Sequence, residues 1–267
     1  MSGFDLLSAI MSGSSGPASA TSVKGDKESR HADDISIFQG DNESKIIFID
    51  SFDKKPNYWN QYVYDSGSCI SQESATAFVK EIRKVPDNKT IDIIITTNGG
   101  SLFAAETIIN SILQHKGKVR VHIPYYARSA GTLIALAADE IIMDKYAYIG
   151  PIDPVYGFGI SSSNIIKSNI ETSTSWMSDL IRMAKGEAET SLERVVALVK
   201  KIADRKEIHD PDLICQELAN GKYNHDQPIF FSDIKEKGIL KNVSSDLNKD
   251  ILVILEGRKE ILEAKKR

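Results

Sequence analysis

Four short apolar runs constrain this chain most: IIFID at 46–50, IDIIITT at 91–97, KVRVHI at 118–123 and EIIM at 140–143. They are short, rich in β-branched residues and for the most part almost continuously apolar, the pattern of strands covered on both faces rather than of helices. Segments with helical spacing lie between them. Ser71 caps one that carries Ala75, Phe78, Val79 and Ile82 on one face and stops at Pro86. Another spans about 102 to 115 with Ala105, Ile108, Ile109 and Ile112 inward, and a third starts at Ser129. This alternation predicts an α/β fold around a parallel sheet.

Beyond Gly150 the pattern is helical, with helices expected at about 163–184, 189–206, 211–219 and 247–266. Their amphipathic faces suit walls around a site or contacts between subunits. At the other end, twelve of the first thirty residues are Ser or Gly, too little apolar surface to offset the entropy of ordering a backbone. Residues 1–43 are therefore expected to be a mobile tail and 44–267 a single folded domain. Within the tail, Phe4, Leu7 and Met11 recur at helical spacing, enough for a weak docking segment.

Composition narrows the function classes. The 267 residues carry 33 Lys and Arg against 37 Asp and Glu, so no positive field exists to neutralise a phosphate backbone, and nucleic acid is not expected as a partner. The two cysteines, Cys69 and Cys215, lack C-x-x-C spacing; this disfavours a disulfide scaffold or a redox pair and suits a reducing compartment. No run approaches the length of a membrane span and no secretory signal is read, so the expected location is cytoplasmic. His31, His115, His122 and His209 have no paired spacing with Asp or Glu, so no metal and no other cofactor is called for. The acidic pairs Asp139/Glu140 and Glu187/Glu189 read as solvated helix ends.

Two turns, each closing a strand and opening a helix, could carry chemistry: TTNGGS at 96–101 and YARSAGT at 126–132. In parallel sheets that edge is where ligands bind. Gly99 and Gly100 permit close backbone approach, and the helix after them begins with unpaired N–H groups able to hold an anion or an oxyanion. Ser129, among Ala127, Ala130 and Gly131, has the small neighbours of a nucleophile elbow, with Ala127 in place of that motif's first glycine. Taken singly, each turn has a plainer reading: a glycine turn needing positive φ, and a serine acting only as a helix N-cap.

Together with IGPIDP (149–154) and HDQPIFFSDIKEKGIL (225–240), the two turns resemble the superfamily of the Clp protease proteolytic subunit, signal peptide peptidase A and the crotonases. The serine dehydrogenase proteinase group is the nearest likeness, and the resemblance runs from about Lys45 to Val243. It implies a ClpP/crotonase-like fold of repeated β-β-α superhelical turns with a parallel sheet core and C-terminal oligomerisation helices. It implies a serine peptidase in which Ser129 attacks the scissile carbonyl and the N–H groups of Gly100 and Ala130 form the oxyanion hole. An extended peptide or protein substrate would lie along the TTNGGS edge beside Gly99 and Ser101. A homo-oligomer is implied, with a delivery ATPase or adaptor as a further candidate partner.

A serine hydroxyl needs a base, and here the resemblance divides. Clp-type subunits have a histidine at the position of Pro151, Ile152 and Asp153 in this sequence. Signal peptide peptidase A-like enzymes use a lysine near the head of a long helix, and Lys167 lies in the comparable region, beside Ile165 and Ile166, which suit its burial. A Ser129/Lys167 dyad is the preferred reading. The rival base is His225, next to Asp226, which matches the acidic member of the Clp triad; neighbours in an extended segment face opposite ways, so both reach Ser129 only if a turn intervenes. Two other classes remain: a crotonase-like acyl-CoA enzyme, which needs no hydroxyl at Ser129, and an inactive ClpP-like interaction or scaffold module.

Overall fold

All four apolar runs become neighbouring strands of one sheet in the computed structural model, which describes residues 37–39, 44–50, 69–156, 160–168, 175–206 and 210–265. The sheet contains β1 (Ile37–Gln39), β2 (Ser44–Asp50), β3 (Thr90–Thr96), β4 (Val119–Ile123), β6 (Glu140–Met143) and β9 (Val243–Ser244), in the order β1-β2-β3-β4-β6-β9. From β2 to β9 every pairing is parallel, and β1 adds an antiparallel edge. β1 falls inside the stretch expected to be tail; the rest of residues 1–43 lies outside the described residues, as do His31 and His209.

Register sorts the side chains by face. Ile47, Ile93, Val121 and Ile141 pair across four strands and enter the main core with Phe78, Ile108, Ile109 and Ile112. These last residues come from α1 (Gln72–Ile82) and α2 (Leu102–Gln114). The predicted cap is present: Ser71 and Ser74 form a reciprocal capping box at the head of α1. On the opposite face Ile46, Phe48 and Ile94 pack against Ile251, Ile254 and Leu255 of α8 (Lys249–Lys265).

That second face also buries a polar group. Asp92 accepts hydrogen bonds at 2.7 Å from Arg120 Nε and Nη2 and lies 2.7 Å from His122 Nε2. Burial alone would push the Asp92 carboxyl up, but the bonds from His122 and Arg120 outweigh it and hold the carboxyl well below the usual carboxylate range. His122 is thus a packing residue, as its isolation in the sequence suggested.

The helical half differs from expectation in three places: the helix expected at 163–184 stops at Lys167, where Ser168 is extended; no break separates 184 from 189; and a further short helix spans Phe231–Lys237. Instead of breaking between 184 and 189, the backbone runs as one 32-residue helix, α5 (Ser175–Lys206), with Gly186 inside it. α4 (Ser162–Lys167) is separate, and α6 (Pro211–Leu218) and α7 (Phe231–Lys237) follow α5. Val195, Val199 and Ile202 of α5 are buried, Lys206 pairs with Asp139 at 2.7 Å, and Arg194 pairs with Glu106. Among the described residues no helix is long and apolar enough to cross a membrane.

A small second sheet has no counterpart in the sequence pattern. It joins β5 (Tyr126–Ala127), β7 (Tyr148–Ile149) and β8 (Ile229–Phe230). Ala127, Ile149 and Ile229 face the core, while Tyr126 stacks on Tyr148 at 5.7 Å and Tyr148 meets Phe230 edge-on at 5.8 Å. This sheet ties the approach to Ser129 to the strand that follows the His225 turn.

Candidate active site

Ser129 stands at the N-cap position of α3 (Ala130–Leu136), but its side chain makes no capping hydrogen bond. Its backbone has φ 51° and ψ −117°, and it is the one non-glycine residue with positive φ among the described residues. A conformation of this kind costs about 1–3 kcal/mol and persists only where the surroundings enforce it. They do so here. Arg128 N donates to Thr97 O at 3.0 Å, Gly131 N donates to Arg128 O at 2.8 Å, and the Thr132 hydroxyl lies 2.8 Å from both Ala127 O and Gly150 O. The result is a serine on a strained strand-to-helix turn whose hydroxyl has no hydrogen-bond partner among the described residues.

The glycine turn is fitted against it. Gly99 has φ 101°, and a Cβ there would lie 2.8 Å from Ser129 Cβ and 2.7 Å from Arg128 O. Gly100 has φ 152°, and a Cβ there would lie 2.3 Å from Ile70 O. Ile70 holds the turn from outside: its N–H donates to Gly99 O at 2.7 Å and its carbonyl accepts from Ser101 N at 2.9 Å. Backbone alternation then turns the Gly100 N–H away from Ile70. Neither this N–H nor that of Ala130 donates to any acceptor among the described residues. Ser101 caps α2 through Ala104 N, so its polar groups are engaged, as is the Gly99 carbonyl.

Gly100, Ser101, Ser129 and Ala130 line one cavity of about 540 Å³, together with His225. Leu102, Leu133, Ile152, Pro154, Val155 and Val195 give it an apolar wall. His225 and Asp226 occupy a turn closed by Gln227 N donating to Asn224 O at 2.9 Å, the intervening turn that an extended reading lacks. The turn sends the two side chains different ways: His225 is half-buried against the cavity and Asp226 is exposed. Burial and the Arg128 guanidinium push the His225 imidazole below its usual value, against smaller opposing effects of the Asp153 backbone and the Asp226 carboxylate.

Lys167 lies elsewhere. It ends α4, is exposed although Ile165 and Ile166 beside it are half-buried, and donates to Asn220 O at 2.9 Å. It does not line the cavity. Behind the cavity, Asp153 is 1% exposed and accepts from Ser163 N at 3.3 Å, while its Oδ2 has no partner among the described residues. Burial pushes this carboxyl up, and the bonds from Ser161 and Ser163 oppose it in part. Cys69 is half-buried at the cavity wall, and Cys215 is half-buried elsewhere. Among the described residues no group of three or more His, Cys, Asp or Glu side chains could hold a metal ion.

Three contributors to this site carry no signal that sequence reasoning used: Ile70, which clamps the glycine turn; Asp153, whose backbone faces His225; and Arg128. Of these, Arg128 adjoins Ser129 in YARSAGT and Asp153 lies in IGPIDP, while Ile70 lay outside every segment singled out.

Comparison with known proteins bears on the whole constellation. Residues 66–267 match the profile of the ClpP-like SDH-type serine proteinase family. An uncharacterized protein of Methanocaldococcus jannaschii is 36% identical over 194 residues, 70% of this chain and 63% of that protein. A second from the same organism is 32% identical over 188 residues, 70% of this chain and 65% of that protein. The sequence thus spans less than two thirds of the length of these relatives. Among solved structures, a mutant of the 1510-N membrane-bound stomatin-specific protease aligns at 20% identity and TM-score 0.46, over 71% of this chain and 79% of that one. Another mutant of that protease, in complex with a substrate peptide, aligns at 23% and 0.45 over 67% and 72%. A ClpP1 mutant from Listeria monocytogenes aligns at 17% and 0.43 over 68% and 90%. With the profile match running through the glycine turn, the serine turn and the His225 turn, the protein belongs to the ClpP-like SDH-type serine proteinase family.

Proposed function

We propose that this protein is a serine endopeptidase that cleaves peptides or unfolded polypeptides, membrane-derived ones included, through an acyl-enzyme, with no cofactor. The observation that carries the reading is the strained turn at Ser129, whose uncommitted hydroxyl shares a cavity with the unpaired N–H groups of Gly100 and Ala130. Ser129 Oγ attacks the scissile carbonyl carbon and gives its proton to the base. The carbonyl electron pair moves onto oxygen, which accepts from the two N–H groups. The intermediate collapses with loss of the amine, which takes the proton from the base, and water repeats the sequence on the ester. A crotonase-type reaction leaves the strained serine without a role.

His225 is the proposed base, because its imidazole is the basic group that lines the cavity. The Ser129/Lys167 dyad is the second reading, supported by the position of Lys167 near the buried Asp153 carboxyl, on which its charge acts. Asp226 is then an electrostatic helper of His225 rather than a member that touches Ser129. We further propose that the sheet and helices form the superhelical architecture of the ClpP group and that the protein self-assembles, with an ATPase or adaptor delivering substrate.

A fluorophosphonate probe tests the reading. It should label the protein once, and Ser129→Ala should abolish the label while the melting curve is kept. A label that survives Ser129→Ala, or an unlabelled native protein, defeats it. Labelling lost in His225→Ala and retained in Lys167→Ala assigns the base to His225; the reverse assigns it to Lys167.

A further inference from the structure

We propose that Arg128 reads a carboxylate on the substrate, so that preferred peptides carry an acidic side chain or a free carboxyl terminus close to the bond that is cut. The inference rests on the peptidase reading above and adds the substrate class.

Arg128 immediately precedes Ser129, and its stem is held in place. A Cβ on Gly150 would lie 3.1–3.2 Å from the Arg128 Cα, Cβ and Cγ, so the start of the arginine stem packs closely against the bare backbone of Gly150. Its guanidinium reaches towards Asn98, with Nη1 3.5 Å from Asn98 Oδ1. Its charge also acts on His225. Asn98 lines the cavity that holds Ser129, so the guanidinium, which is not itself part of the wall, reaches the cavity on its Asn98 side.

Two further features point outward to a ligand. Among the described residues no carboxylate forms an ion pair with Arg128, although the residue is half-buried. Asp226, exposed on the His225 turn, does not supply one. Among the described residues the cavity wall contains no Asp, Glu, Lys or Arg, so no side-chain charge of the wall competes for a ligand carboxylate. A planar guanidinium on a pre-positioned stem matches a carboxylate with two parallel hydrogen bonds and loses little freedom in doing so. An acidic side chain and a peptide terminus offer the same group.

The test uses the full-length protein with Ser129→Ala, so that bound peptide is not consumed. One apolar fluorescein-labelled peptide is prepared in four forms, with Glu or Gln at its centre and with a free or amidated C-terminus. Anisotropy titrations should give a Kd about tenfold lower for a carboxylate-bearing form than for the form with none, the scale of one charge-assisted pair. The arm that shows the gain tells side chain from terminus. Adding Arg128→Gln should remove the preference, and Arg128→Lys should keep part of it, with melting curves confirming that each variant folds. Equal Kd for all four forms, no binding by any form, or a preference that survives Arg128→Gln overturns the proposal. Because binding is read without turnover, a carboxylate preference in a protein that fluorophosphonate fails to label would defeat the peptidase reading and leave Arg128 as the anchor of a binding cleft.

Discussion

On the proposed reading His225 is the base, and its surroundings decide when it is ready to work. A base must be neutral to accept the serine proton, and burial with Arg128 favours the neutral imidazole. Protonation therefore requires a lower pH than usual. The acid limb of kcat/KM against pH is expected below the ordinary imidazole value of about 6.5. Arg128→Gln removes a repelling positive charge and should move the limb up, whereas Asp226→Asn removes an attracting negative one and should move it down. Rates on a fluorogenic peptide across the acid range would check both signs; a limb near lysine values that ignores these changes would favour Lys167. The turns that carry Gly100, Ser129 and Ala130 were legible because a turn motif is local: small residues next to one another announce close backbone approach, while the roles given to these residues came from the resemblance. Ile70 and Arg128 were not, since each acts on partners remote in sequence, and no local pattern encodes that the backbone at 70 will bond to the groups at 99 and 101. The exposure of Lys167 is of the same kind: its apolar neighbours describe the helix, while the Asn220 carbonyl decides where the ammonium goes.

At the level of elements, legibility follows length. β2, β3, β4 and β6 could be read because four or more consecutive residues share one environment. β5, β7 and β8 could not: each has two residues, too few for a period, and exists only because its partners are brought alongside. The opposite error occurred in α5, where two helices were expected with a break between 184 and 189 and the backbone instead runs on through Gly186. The helix continues because long-range packing, with Val195, Val199 and Ile202 buried, outweighs one glycine. A Cβ at Gly186 would meet nothing within 4 Å. Gly186→Ala should therefore stabilise the protein by about 0.5–1 kcal/mol, by removing unfolded-state freedom without adding a clash. Calorimetry would register it as a rise in Tm of roughly 1–4 °C; a fall would mean that α5 needs its glycine for an approach by another subunit.

For the whole molecule, the parallel sheet is what brings chemistry together. β3 and β4 are adjacent in the sheet, so the turns that follow them meet although Gly100 and Ser129 are far apart in sequence, and α5 closes the cavity with Val195. The site thus depends on the entire assembled fold, and its strain is borne by that fold. The backbone of Ser129 is in a region that glycine enters freely and serine does not. Exchanging Ser129 for glycine should release more strain than the added freedom of the unfolded state takes back, a net gain of about 0.5–2 kcal/mol. The variant should melt a few degrees above the native protein and take no fluorophosphonate label; a lower Tm would mean that the hydroxyl itself holds the turn. If it melts higher, heat resistance and competence are opposed at this position: a search for hardier variants that monitors only melting would settle on the sequence that has lost its reaction.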